Sequence, residues 1–116
     1  MARILIIEDV AIIALSMSDM LEELGHEVAG LACSIDEAMS QLDSIDPAAD
    51  AAVLDAELRG VSSAPVAQRL RLAGIPFVIT SGHSGELLDR IGTVEPRLPK
   101  PVDEARLKQT LAQLLS

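Results

Sequence analysis

The sequence contains no Trp or Tyr, one Phe and one Cys. The single thiol, Cys33, cannot close an internal disulfide, so nothing in the chain demands an oxidising compartment. Among small apolar neighbours it reads as a buried structural thiol rather than a reactive one. No apolar run approaches the ~20 residues that span a bilayer. Met1-Ala2-Arg3 leads straight into strand-like sequence without the features of a signal peptide. Basic runs are missing too: 9 Lys and Arg stand against 18 Asp and Glu, a formal net charge of −9, whereas a nucleic-acid surface needs clustered cations. These absences argue against nucleic acid and membrane as partners and make a cytoplasmic protein the expectation. The remainder is ordinary for a globular fold, with 49% hydrophobic and 23% charged residues over 116, enough for one domain with a core of its own.

The apolar residues come in short runs. Ile4-Leu5-Ile6-Ile7, Ala51-Ala52-Val53-Leu54 and Pro76-Phe77-Val78-Ile79-Thr80 do not alternate, which marks strands buried on both faces, as in a parallel sheet. Glu27–Ala32 is a weaker strand nearer an edge, and Thr93–Leu98 a thin fifth one. Between them the spacing turns helical. Ile13, Met17, Met20, Leu21 and Leu24 recur on one face and stop at Gly25; Ser34 with Glu37 forms a capping box that opens a second helix through Leu42; Pro65 starts a third, with Val66, Leu70 and Leu72, which Gly74 closes. The segment 84–91 is a short helix candidate hemmed in by Gly82, Gly85 and Gly92, expected to be the loosest in the fold. Asp103 caps a last helix with Leu107, Leu111 and Leu114 on one face. Glu57–Ser63 reads as loop. Five strands alternating with five helices predict an α/β fold, a doubly wound five-stranded parallel sheet of (βα)5 type, with one domain over residues 1–116.

In such a sheet the carboxyl ends of the strands share one edge, where ligands bind. Strand one ends in Glu8-Asp9, strand three in Asp55, strand four in Ser81 and strand five in Lys100. Each has an ordinary explanation alone, since acids cap helices, Asp and Ser open turns, and Lys before Pro is loop chemistry. Together they form an odd collection for a merely structural edge. Three crowded carboxylates repel, and a hard divalent cation with oxygen ligands relieves that. A Lys and a hydroxyl beside it suit an anion on the metal. The chemistry that uses all of them is phosphoryl transfer to a carboxylate, with Asp as nucleophile.

In Ile6-Ile7-Glu8-Asp9, Val53-Leu54-Asp55, Pro76–Gly82 and Leu98-Pro99-Lys100-Pro101, the sequence resembles the receiver domains of two-component response regulators over essentially its whole length. The resemblance implies the flavodoxin-like strand order 2-1-3-4-5 and a stand-alone receiver without an output domain. It implies Asp55 as phosphoacceptor and Mg²⁺ as the cofactor, bound directly by Asp9 and Asp55, through water by Glu8, and by the main-chain carbonyl of Glu57. Ser81, rather than Thr80, matches the hydroxyl that meets the phosphoryl group. Lys100 matches the family lysine, with a cis bond to Pro101. The partner implied is a phosphohistidine protein, either a sensor histidine kinase or a histidine phosphotransfer protein, and an exposed last strand and helix could pair two copies. Such a domain is a phosphorylated signalling module rather than an enzyme on other molecules.

Two positions depart from the pattern. Receivers usually carry Pro four residues after the phosphoacceptor, where this chain has Arg59, followed by Gly60. Many place an aromatic three residues before the lysine and turn it inward on activation; here it is Arg97, and the only aromatic, Phe77, is a core candidate. The usual hydroxyl-plus-aromatic switch cannot operate in that form, which leaves the glycine-flanked segment 82–92 as the candidate moving element. Glu57 and His83, two positions after Asp55 and Ser81, match residues that border the phosphoryl site in the family and tune dephosphorylation; His83 is equally well read as a solvated loop residue, and His26 reads as surface. A phosphate sink or relay intermediate without conformational output is a second reading, mildly favoured by Arg97. A degenerate receiver used only for binding is a third, against which the intact acids, hydroxyl and lysine argue. A flavodoxin-like nucleotide or flavin binder would want a phosphate loop after strand one, and Glu8-Asp9 has the wrong charge for it.

Overall fold

A computed structural model describes residues 1–44, 49–82 and 95–116. Five strands, β1 (Arg3–Ile7), β2 (Glu27–Ala32), β3 (Ala51–Asp55), β6 (Phe77–Ser81) and β7 (Arg97–Pro99), form one sheet in the order β2-β1-β3-β6-β7, every pairing parallel. Two further short strands, β4 (Glu57–Leu58) and β5 (Val61–Ser62), lie outside this sheet, and its five strands run in the order 2-1-3-4-5 expected from the sequence. Four helices flank it among the described residues: α1 (Ala11–Glu23), α2 (Ile35–Ser44), α3 (Ala64–Ala73) and α4 (Glu104–Leu115). The helix candidate at 84–91 lies outside the described residues, as does His83.

The non-alternating runs become buried strands because both faces of the sheet are covered. Alternate residues of β1, β3 and β6 feed two cores. Leu5, Ile7, Leu54 and Ile79 pack with Leu42, Val66 and Leu70 of α2 and α3 on one side. Ile4, Ile6, Val53 and Val78 pack with Met17, Leu21, Leu107 and Leu111 of α1 and α4 on the other. Phe77 is fully buried in the first. Edge strand β2 is partly exposed and carries a bulge opposite Ile4/Leu5. Its Leu31 carbonyl accepts a hydrogen bond from Gln41 of α2 at 2.6 Å. Gln41 lies so close over Gly30 that a Cβ there would sit 2.6 Å from its amide oxygen.

Among the described residues the helix signals are realised with two exceptions. Gly25 (φ 88°) and Gly74 (φ 73°) take the left-handed conformation after α1 and α3. In each case the next residue donates back into the last turn, His26 to Leu21 and Ile75 to Leu70, as a Schellman cap requires. Ser34 Oγ accepts the N–H of Glu37 at 3.1 Å. Asp103 stands at the start of α4 but makes no side-chain cap bond. Leu72 does not join the apolar face of α3: six positions from Val66 is well over halfway round the helix, and the side chain is 85% exposed. Two other expectations are corrected. Cys33, just beyond β2, is half-buried rather than buried, and His26 is half-buried, its Nδ1 accepting the N–H of Ala2 at 3.1 Å.

The segment expected as loop after Asp55 contains a small hairpin, β4 (Glu57–Leu58) antiparallel to β5 (Val61–Ser62). Its two-residue turn, Arg59-Gly60, has positive φ at both positions, 53° and 79°, which is the backbone of a type I′ turn and matches the right-handed twist of the flanking strands. The fully buried Leu58 anchors one arm in the core. Ser63 ties the other arm back, both its N–H and its hydroxyl donating to the carbonyl of Ala56, at 3.0 and 3.1 Å.

Candidate functional site

Glu8 and Asp9 follow β1, Asp55 ends β3, Ser81 ends β6 and Lys100 follows β7. Parallel pairing therefore delivers them to the same edge of the sheet. In the ladder Asp55 lies opposite Thr80, and Ser81 opposite Pro99. Asp9, Asp55, Glu57 and Lys100 line one cleft of about 190 Å³ with Gly82. Glu8 is buried, 4% exposed, and Asp55 is nearly as hidden at 5%.

Lys100 ties the acids together. Its Nζ donates to Asp55 Oδ2 at 2.9 Å and stands 3.1 Å from Glu8 Oε2 and 3.3 Å from Glu8 Oε1. The Lys100–Pro101 bond is cis, as the resemblance implies. Burial, and then the neighbouring Asp55, push the Glu8 carboxyl up to about 7, against the pull of Lys100. Burial draws the Lys100 ammonium down, but the hydrogen bonds and charges of Asp55 and Glu8 outweigh it, and the net direction is upward. A lysine whose charged form its partners reinforce thus faces two carboxylates, one of which, Glu8, titrates close to neutral pH.

One carboxylate oxygen from each of Glu8, Asp9 and Asp55 lies within 4.8 Å of the others. An all-oxygen, all-anionic donor set suits a hard divalent cation such as Mg²⁺, so the residues present fit the metal that the resemblance implies. The Glu57 N–H donates to Asp55 Oδ1 at 3.3 Å, so Asp55 is held by Lys100 on one oxygen and by the backbone on the other. Ser81 is buried at 8% exposure, and its carbonyl accepts the N–H of Lys100 at 3.0 Å.

Solved structures similar to this chain share the fold and name the module. The signal receiver domain of a modulated diguanylate cyclase from Desulfovibrio desulfuricans G20 has a TM-score of 0.88 and 27% identity, over 99% of this chain and 94% of that one. The receiver (REC) domain of the response regulator PhyR from Erythrobacter litoralis has a TM-score of 0.84 and 25% identity, over 98% and 89%. SdrG from Pseudomonas melonis Fr1, in its BeF3-activated conformation, is 36% identical over 98% of this chain and 96% of that one, with a TM-score of 0.82. The chain belongs to the response-regulator receiver domains. No protein-family model matches the sequence, and no curated protein matches it.

Of the residues the sequence singled out in this receiver, the structure brings Glu8, Asp9, Asp55, Glu57, Ser81 and Lys100 to one edge of the sheet. Arg97 stands exposed at the start of edge strand β7. The sequence reading marked Arg59 only as a departure and missed its backbone N–H, which donates to Asp9 Oδ2 at 2.9 Å. The signal was present as a residue-Gly pair between two apolar residues, Leu58 and Val61. It is weak because Arg lacks the tolerance of left-handed φ that makes Asn-Gly and Asp-Gly conspicuous.

Proposed function

We propose that this receiver accepts a phosphoryl group on Asp55 from a phosphohistidine of a histidine kinase or phosphotransfer protein, and signals by protein contact. The observation that carries the reading is the pairing of Asp55 Oδ2 with Lys100 at 2.9 Å, beside two further acids, at the sheet edge where ligands sit. In the transfer, the phosphorus–nitrogen bond of the donor breaks as a bond forms from an Asp55 carboxylate oxygen. Departing imidazole keeps the electron pair. Lys100 stays charged throughout and stabilises the phosphoryl oxygens. Ser81, five positions after Pro76, is the hydroxyl that meets them. Mg²⁺ held by Asp9, Asp55, the Glu57 carbonyl and, through water, Glu8 would neutralise charge on the phosphoryl group. The BeF3-activated conformation of SdrG supports the reading, since trifluoroberyllate resembles a phosphoryl group in shape and charge.

The donor's carrier has a surface to rest on. An apolar groove of about 480 Å³, lined by Ile12, Ile13, Met17, Met20, Pro101 and Val102, opens beside Lys100, and Ile12 is 75% exposed at its rim. A second reading, a phosphate sink or relay intermediate, is favoured by Arg97, which puts a solvated cation where a switching aromatic would otherwise turn inward. Pairing of two copies through β7 and the last helices is a further partner reading.

The test is incubation with acetyl phosphate, with and without Mg²⁺, beside Asp55→Asn. A Mg²⁺-dependent label that base and hydroxylamine remove, as they do from an acyl phosphate, and that is lost in the variant is expected; an acid-stable or Mg²⁺-independent label, or one that survives Asp55→Asn, sinks the assignment. The lifetime of the label separates switch from sink.

A further inference from the structure

We infer that the backbone N–H of Arg59 positions Asp9, and that the β4–β5 hairpin exists in this chain to supply it. The inference rests on the proposed metal-dependent reading of the site. Lys100 bonds Glu8 and Asp55, while Asp9, half-buried beyond the end of β1, is held across the sequence by Arg59, whose N–H donates to Asp9 Oδ2 at 2.9 Å. A partly solvated carboxylate beside two others is repelled toward water. A charge-assisted bond from a fixed backbone donor opposes that and keeps Asp9 within reach of its neighbours.

The donor is fixed because the turn is. Arg59 adopts φ 53°, a left-handed conformation that carries a penalty of about 1 kcal/mol or more for a residue with a Cβ. It holds that conformation between the buried Leu58 and Gly60, itself at φ 79°, with the hairpin closed at its base by Ser63 on Ala56. The Arg59 side chain is exposed, so the backbone, not the guanidinium, carries the role. Proline, which receivers commonly place at this position, could neither reach that φ nor donate. What looks in the sequence like a lost structural residue is, in the fold, a gained hydrogen-bond donor aimed at the acidic cluster.

Two measurements test this. In metal-free protein, hydrogen exchange followed by NMR should show the Arg59 amide protected, and Asp9→Ala should reduce that protection about tenfold or more; protection unchanged by the substitution overturns the inference. Calorimetric titration with MgCl₂ alone should then show binding about tenfold weaker in Arg59→Pro and within about twofold of wild type in Arg59→Gly, which keeps the N–H and favours the turn. Unweakened binding in Arg59→Pro overturns the inference, and so does an equal loss in Arg59→Gly, which would assign the effect to the guanidinium. Should Arg59→Pro fail to fold, the exchange measurement decides alone. Wild-type protein that binds no Mg²⁺ would defeat the proposed function, while the exchange measurement would still judge the bond to Asp9.

Discussion

Glu8 is the residue whose chemistry is set most by its surroundings. It is buried beside Asp55, and its carboxyl lies at about 7 instead of the ordinary 4.5. Between those two values the folded protein holds a proton that the unfolded chain has released, so the folded state binds more protons and stability falls as pH rises through that window. Metal-free wild type should therefore lose thermal stability relative to Glu8→Gln between pH 4.5 and about 7 and run parallel to it above. Circular-dichroism melts across that range check it, and parallel curves throughout would refute it. Lys100 is the complement. Removing its ammonium in Lys100→Met leaves two buried carboxylates facing each other, and the metal-free protein should lose about 1–3 kcal/mol at neutral pH, measured by urea unfolding, with part of the loss recovered at acid pH as Glu8 takes a proton.

At the scale of elements, backbone conformation separates two residues that composition would treat alike. Gly74 ends α3 at φ 73° with nothing within 4 Å of where a Cβ would stand. Gly74→Ala thus reads backbone strain alone and should destabilise by about 1 kcal/mol in chemical denaturation. Arg59→Gly works in the opposite sense, relieving strain at φ 53°, and should leave stability unchanged or raised. The caps after α1 and α3 were legible as Gly25 and Gly74, because glycine after a periodic apolar segment has one common use. The β4–β5 hairpin was not legible. Its strands are two residues each, too short for any period, and its turn depends on Leu58 being drawn into the core.

At the scale of the molecule, two cores on either face of one sheet make the strands stiff supports for the groups at their ends. Leu54 is fully buried one residue before Asp55. Leu54→Ala should cost about 2–5 kcal/mol and, by loosening the end of β3, also slow phosphorylation from acetyl phosphate; a variant destabilised but unimpaired in rate would show that the site is held independently of the core. Docking is a whole-surface property. Ile12→Asp, on the exposed rim of the groove beside Lys100, should slow transfer from a phosphohistidine protein while leaving the acetyl phosphate reaction intact. Equal rates from the protein donor would remove the groove from the proposal. Among the described residues no helix is long and apolar enough to cross a membrane, and every buried side-chain nitrogen and oxygen has a hydrogen-bond partner.

The order of apolar runs and turn residues by itself determined the α/β class, because a strand covered on both faces has no reason to alternate and a helix between strands must show a stripe. The same order named Glu8, Asp9, Asp55, Ser81 and Lys100, since strand ends in a parallel sheet share an edge whatever the side chains are. Only the tertiary structure decided how those groups interact. That Lys100 bonds both Asp55 and Glu8, that Glu8 is buried enough to keep a proton near neutrality, and that Arg59 donates to Asp9 all depend on distances between residues 45 to 92 positions apart in the chain. Spacing along a sequence carries no information about such distances until packing fixes them.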